Sequence, residues 1–591
     1  MSGVLRRWIR RWARRPVPVW YHPDYRLPLT SLLARTGLDP RRADLATWHL
    51  LEAGLLPRRG LRRPGAVPLR QLCRVHTPAW LESLAAPEAL ARVFGVEAWD
   101  VPVDALLHSL RLVVGGTVEA ARVALRDGGP ALNVQGGLHH AHPAHGAGFC
   151  PVNDVAVAVA VARAEGYAGP VGVLDLDVHP PDGTAACLAA DPDAWIGSLS
   201  GADWGPLPGR VDETLLPPGT GDGPYLEALE ALLARMPRCG LVFVLAGADP
   251  RAGDPLGTLA LTEAGLLARD AAVAARLGAT PAVWLPAGGY GPEAWRVLAG
   301  TGQVLLTGAT APLAPDLDPL RTRWARIARE LREEDLSGEP WLTEADLAEL
   351  LGPGAAPGEA RLLGHYTVPG VELALERYGL LGPVRRLGYD DFRVLLDRTG
   401  AGDRMRLLGR DAKAPPAPTP ALGAPPQPDE HLLVECVVAR SSLPDGVAVL
   451  FVHWLTLRHP LAAFRRPALP GQEVPGLGMA REATELLLRM AQRLGLAGVA
   501  LRPAFFHVAW TGRHDFRFVD PGVHGRFEAL GDAVAALPLA EAARRVDAGA
   551  VRLDGAPWAW EPGLMVCGVA PGPGWRAAAD AARSAARFSL A

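Results

Sequence analysis

Val171-Gly172-Val173-Leu174-Asp175-Leu176-Asp177-Val178-His179 is an apolar run that acquires two carboxylates and an imidazole at every second position. Read as a strand, it turns Asp175, Asp177 and His179 to one face and Leu174, Leu176 and Val178 to the other, because side chains alternate along an extended chain. Carboxylates so close repel each other in a low-dielectric interior unless a cation sits near them. The stretch is therefore expected to be a strand over 171–178 that ends in a divalent-metal site.

Working outward, short apolar runs alternate with helical periodicity from Val17 onward, the pattern of an α/β domain with a parallel sheet. Ala131 to Val134, Leu241 to Ala246 and Pro281 to Leu285 read as further strands. Asn153 to Glu165, Tyr225 to Met236 and Thr262 to Leu277 read as helices, the first capped by Asn153 or Asp154. Each strand runs into a polar or Gly-rich loop, and open α/β sheets bind ligands beyond the carboxyl ends of their strands. Those loops carry Gly136-Gly137-Leu138-His139-His140, the Asp/His stretch, Gly247-Ala248-Asp249 through Asp254, and Ala287-Gly288-Gly289-Tyr290. A lone Asp or His at a strand end is more often a hydrogen-bonded structural residue than a ligand, and Asp249 is read that way.

At 591 residues the chain is too long for one ordinary core, so two or more domains are expected. With 49% hydrophobic and 21% charged residues it has a globular composition, and a net charge of -3 gives no field for nucleic acid, so none is expected as a partner. Its six cysteines form no CxxC pair, which argues against a zinc ribbon or a disulfide framework and for a reducing cytoplasm. No apolar run reaches the roughly 18 residues that span a bilayer. In Met1 to Arg15, Leu5, Trp8, Ile9 and Trp12 fall at helical spacing among six arginines, a basic amphipathic segment that can touch anionic lipid or dock on its own domain.

The ordered set Trp20-Tyr21-His22-Pro23-Asp24-Tyr25, Val75-His76-Thr77, Trp99-Asp100-Val101-Pro102, GGLHHA from Gly136, GFCPVNDVA from Gly148, DLDVHPPDGT from Asp175, PPGTGD from Pro217, GADPRAGDPLG from Gly247 and GGY ending at Tyr290 resembles the histone deacetylase superfamily. The resemblance covers roughly residues 16 to 310 and implies the arginase-deacetylase fold, a parallel sheet flanked by helices, over 16–312. It implies Asp177, His179 and Asp254 as metal ligands, with zinc as the ion and ferrous iron equally suited to the set. It implies His139 and His140 as the proton-transfer pair, backed by Asp175 and Asp182. It further implies Tyr290 as oxyanion donor, Asp100 as the rim carboxylate, and Gly148, Phe149 and Trp204 as walls of an acyl-chain tunnel. The chain departs from the family at Pro180-Pro181, which remove two backbone donors just after the ligand, and at Pro151, where an aromatic is usual. Those departures bear on tunnel shape and substrate rather than on hydrolysis.

Beyond about Pro312 the α/β rhythm stops, and 313–591 is expected to be a C-terminal α+β domain. Arg321 to Glu334 reads as a charged helix, and Ala414 to Pro428, rich in Ala and Pro, as an extended linker or long loop. Strand-like stretches at Phe392 to Leu396, Arg404 to Leu408, Leu432 to Val438 and Val447 to Leu455 precede Gly471-Gln472-Glu473-Val474-Pro475-Gly476-Leu477-Gly478 and a helix from about Arg481 to Leu494. That order resembles GNAT-type N-acetyltransferases, whose loop takes the pyrophosphate of acetyl-CoA; Gly476 and Gly478 are the matching positions, although Gln472 lies one residue too far away. A simple structural turn accounts for the same glycines equally well.

The reading reached is a metal-dependent hydrolase that removes an acyl group, acetyl foremost, from a protein lysine. Its rivals are a deacylase of small acylated amines such as acetylpolyamines, and a catalytically weak regulatory protein that binds acyl-lysine or CoA. A ureohydrolase would need ligands for a second metal, which the sequence does not offer.

Overall fold

The computed structural model describes residues 17–29, 37–338, 360–415, 424–464 and 467–590, with the Asp100 side chain also outside the described set. The amphipathic segment expected over residues 1–15 lies outside the described residues. Among the described residues no helix is long and apolar enough to cross a membrane. The chain divides into two compact units, Met1–Arg323 and Trp324–Ala591.

The first unit is built on eight strands: β1 (Val19–Trp20), β2 (Leu61–Arg62), β3 (Pro130–Asn133), β4 (Val171–Asp175), β5 (Ala194–Ser200), β6 (Val211–Leu215), β7 (Leu241–Leu245) and β8 (Ala282–Leu285). They pair in the order β2-β1-β3-β8-β7-β4-β5-β6, every pair parallel. Central strands of such a sheet are buried on both faces and read as continuous apolar runs, as Leu241-Val242-Phe243-Val244-Leu245 does. Its alternation survives in the packing. Leu241, Phe243 and Leu245 join one core with α1 (Val103–Asp127) and α2 (Asp154–Ala164), whereas Val242 and Val244 join another with α4 (Asp222–Arg235) and α5 (Glu263–Leu277). A short helix, α3 (Asp182–Leu188), separates β4 from β5.

One expectation needs correction. The strand stops at Asp175 rather than running to Val178. Beyond it the backbone bends onto carboxylates: the Asp177 N–H donates to Asp175 Oδ1 at 3.2 Å and the His179 N–H to Asp177 Oδ1 at 3.0 Å. These short-range bonds compete with the sheet ladder, so Asp177 and His179 are presented by a bend rather than by strand alternation.

The second unit begins with helices that include α6 (Val368–Arg377) and α7 (Leu381–Arg386), followed by β9 (Tyr389–Arg398), β10 (Asp403–Asp411), β11 (Glu430–Ser442), β12 (Ala448–Leu457), α8 (Ala480–Arg493), β13 (Val499–Leu501), β14 (Arg517–Phe518), β15 (Val551–Leu553), β16 (Ala556–Pro557), β17 (Met565–Cys567) and β18 (Phe588–Leu590). Seven strands form a sheet in the order β14-β17-β13-β12-β11-β10-β9, and β16-β15-β18 form a small one. In the larger sheet only β12 and β13 pair parallel, which demands a crossover, and α8 supplies it. The proline-rich stretch expected as a linker or long loop joins β10 to its antiparallel neighbour β11, which fits the second of these; residues 416–423 of it lie outside the described set. The charged helix expected over 321–334 is two pieces, Pro319–Glu330 and Glu333–Ser337.

β12 has two unequal edges. It pairs with β11 out to Leu457 but with β13 only over Leu450–Val452, so its last turn of strand leaves one edge open.

Candidate active site

The polypeptide leaving β3 carries His139 and His140, and a buried carboxylate at the start of α2 holds that loop. Asp154 accepts the Gly137 N–H at 3.1 Å, the Leu138 N–H at 2.7 Å and the Thr117 hydroxyl at 2.7 Å. Burial raises its pKa, and the three donors partly offset the cost of desolvating it. The loop then aims both imidazoles at the carboxyl edge of the sheet.

His139 Nδ1 lies 3.0 Å from Asp175 Oδ2, and His140 Nδ1 lies 2.7 Å from Asp182 Oδ1. An ionised carboxylate only accepts, so each Nδ1 carries a proton and each Nε2 is left to exchange one. The rings are 3.9 Å apart, yet their surroundings differ. Burial would lower His139, but Asp175 and Asp177 outweigh it and lift it to about 9. Burial and the charge of His139 push His140 down to about 4, against Asp182. Asp182 is shared, since His142 Nε2 lies 3.0 Å from its other oxygen. His142 in turn stacks on exposed His145, with centroids 4.3 Å apart.

Ligand atoms of Asp177, His179 and Asp249 lie within 4.8 Å of one another. His179 Nδ1 is 3.0 Å from Asp177 Oδ1 and 3.1 Å from Asp249 Oδ2. Burial lowers the His179 pKa, but these two carboxylates carry it to about 11; burial beside Asp177 raises Asp249 to about 8. Two carboxylates this close around one imidazole favour a positive charge between them. Two or more carboxylates and an imidazole nitrogen fit zinc or ferrous iron.

Asp254 is not in that close group. Its oxygens accept the N–H groups of Tyr290 at 2.7 Å, Leu256 at 2.9 Å and Gly257 at 3.1 Å. Its pKa is raised, by burial first and by the charge of Asp177 among other causes, which puts it in the same field. Asp249, read from sequence as a hydrogen-bonded structural residue, also accepts the Val178 N–H at 3.2 Å. The signal for it was topological: β7 lies beside β4 with Leu245 opposite Asp175, so the residues leaving both strands meet.

Of the other expected site residues, Gly148, Phe149, Trp204 and Tyr290 fall around this centre. Phe149 and Tyr290 rings are 5.7 Å apart. Trp204, half-exposed, lies 5.2 Å from the His140 ring and 6.0 Å from His179. Phe149 holds a left-handed φ of 64°, a strained conformation for a side chain of its size. Gly148 before it admits no side chain, because a Cβ there would run into the His140 ring. The Asp100 backbone closes a short turn, Ala98–Asp100, and its side chain is outside the described residues. Pro180-Pro181 lead directly into α3, whose first residue is Asp182, so the departure from the family sits beside the carboxylate that backs His140.

Arg42 carried no sequence signal. It is buried, donates to the Ala287 carbonyl at 2.7 Å and the Gly289 carbonyl at 3.3 Å, and faces Tyr290, Asp249, Asp177 and Asp254 electrostatically. It ties down the loop carrying Tyr290 and answers part of the negative charge.

In the second unit Gly476 and Gly478 lie exposed just before α8, and Gly478 takes a φ of 70° that glycine adopts freely. Gln472 is exposed and accepts the Leu469 N–H at 3.1 Å.

A histone deacetylase domain model matches residues 37–301. An uncharacterized protein of Picosynechococcus sp. is 35% identical over 291 residues, covering 46% of this chain and 92% of that protein. Histone deacetylase 2 of Arabidopsis thaliana is 30% identical over 302 residues, covering 48% of this chain and 77% of the relative. A crystal structure described as an HDAC homolog complexed with SAHA aligns with a TM-score of 0.44 at 23% identity, covering 50% of this chain and 86% of that one.

Proposed function

This chain belongs to the histone deacetylase family, and we propose that its first unit hydrolyses the acyl amide of an acetylated lysine or a similar linear amine. The observation that carries this reading is the pair of imidazole–carboxylate dyads, His139–Asp175 and His140–Asp182, set beside a cluster of two carboxylates and an imidazole that could hold a metal ion. Asp177, His179 and Asp254 are assigned to the ion, with Asp249 locking the His179 ring. When bound there, zinc or ferrous iron supplies Lewis acidity that polarises an amide carbonyl and makes a water more acidic.

The residues do the rest. His140 Nε2, in a ring held neutral, takes the proton of the attacking water. The proton reaches the departing nitrogen from this pair of adjacent imidazoles, so that amide and water become carboxylate and amine. Tyr290, whose hydroxyl burial and the nearby Asp177 keep protonated, donates to the developing oxyanion. Phe149 and Trp204 provide flat apolar walls suited to an aliphatic chain. An acetyl-lysine peptide should be hydrolysed by the full chain and not by His140→Ala; equal turnover by both would refute the assignment.

A second reading concerns the other unit. The open edge of β12, the glycine loop and the start of α8 adjoin, which supports acetyl-CoA as a ligand with Gly476 and Gly478 at its pyrophosphate. Titration calorimetry of the full chain with CoA and acetyl-CoA tests it, and no heat with either would sink it.

A further inference from the structure

Beneath α8 the second unit contains a cavity of about 70 Å³ that no polar residue lines. Its walls come from every neighbouring element: Leu375 of α6, Val384 of α7, Met405 of β10, Cys436 of β11, and Leu487 and Met490 of α8. The Cys436 thiol is pushed up to about 12 by burial, so it adds no charge. Cores are normally packed without such gaps, and a hollow of this kind stays dry and accepts apolar matter.

Two features connect the cavity to the glycine loop. Leu477 and Met479, which flank Gly478, are both among its lining residues. The loop thus turns its backbone outward and its side chains into the hollow. Leu455 also lines it while remaining 36% exposed, and it lies on the part of β12 whose edge β13 leaves open. A linear ligand with its phosphates at the glycine loop and its amides along β12 would end with its tail at this opening.

We propose that the ligand of the second unit is an acyl-CoA whose acyl group is longer than acetyl and is housed in this cavity; the proposal rests on the CoA reading above. The volume is about half that of a dry cavity known to hold benzene, which corresponds to about two or three methylenes beyond acetyl. The preferred group is therefore butyryl or pentanoyl. Methionines 405, 479 and 490 give walls that adapt to a flexible chain.

The test is titration of the full chain with CoA, acetyl-CoA, butyryl-CoA and octanoyl-CoA. Burying a methylene is worth about a fourfold gain in affinity, so butyryl-CoA, with two more, should bind about fifteenfold more tightly than acetyl-CoA, with no further gain at octanoyl. Ala483→Leu, which extends a lining side chain into the cavity from α8, should erase that preference while CoA itself still binds. Met490→Ala, which enlarges the cavity, should move the optimum to octanoyl-CoA. CoA binding with no dependence on chain length overturns this inference alone, as does a preference that neither variant alters. Absence of CoA binding overturns the reading beneath it and this inference together. Should one variant fail to fold, the wild-type series and the other variant still decide.

Discussion

The two units keep opposite kinds of interior. The first buries charge: Asp175, Asp177 and Asp249 are fully buried, with His139 and His140 almost so. The second buries an apolar hollow bounded by leucines and methionines. Burying charge is expensive unless it is paired, and His139, His140 and His179 each face a carboxylate: Asp175, Asp182, and Asp177 with Asp249. An apolar cavity imposes no such pairing and depends on how helices sit over a sheet. The difference means that single substitutions should act sharply in the first unit and gradually in the second.

The largest effect should come from His140→Ala, which removes the ring proposed to accept the water proton. A fall in kcat/KM of about 10²- to 10⁴-fold on an acetyl-lysine peptide is expected, with metal content unchanged. Tyr290→Phe removes the proposed oxyanion donor and should cost about 10²- to 10³-fold in kcat with little change in KM. Metal analysis on Asp254→Asn and Asp249→Asn separates ligand from support: the first should empty the site, the second should weaken metal binding by about 10- to 100-fold. The reverse order would make Asp249 the ligand.

The smallest effect concerns stability. His76 is buried, its Nδ1–H donating to the His142 carbonyl at 3.0 Å while Nε2 accepts the Asn153 N–H at 2.9 Å. That arrangement suits only the neutral ring, and burial lowers its pKa from 6.5 to about 4. The folded value lies below the unfolded one, so this contribution is complete above pH 6.5 and is lost as the pH falls through 4. It amounts to about 3 kcal/mol. The difference in urea midpoint between the wild type and His76→Gln should shrink across that window; a constant difference would contradict it.

Much of the first unit was legible because its chemistry needs particular residue types at particular spacings. His139, His140, Asp175 and Asp182 were read from sequence, and the structure brings them together as two dyads. The strand end was misplaced because period-two alternation from Asp175 to His179 is matched equally by a bend that bonds to its own carboxylates. Asp249 was read as a hydrogen-bonded structural residue and does hydrogen-bond, but its partner His179 was not foreseen, because only the pairing of β7 with β4 brings the two together. Arg42 and His142 were missed because neither belongs to a spacing that chemistry demands; their partners are distant in sequence or shared. In the second unit β9 to β12 and α8 were legible within a few residues, whereas β13 to β18 were not read. Nor was the cavity legible, since Leu and Met at those positions are what any packed core contains.

Hydrolysis of an acetyl-lysine peptide by the full chain, before and after removal of metal by a chelator and again after zinc or ferrous iron is restored, tests the proposed chemistry most directly. Turnover should vanish with the metal and return with it in the wild type, and stay absent throughout in His140→Ala. Turnover that persists in the chelated protein, with metal analysis confirming its removal, would contradict it.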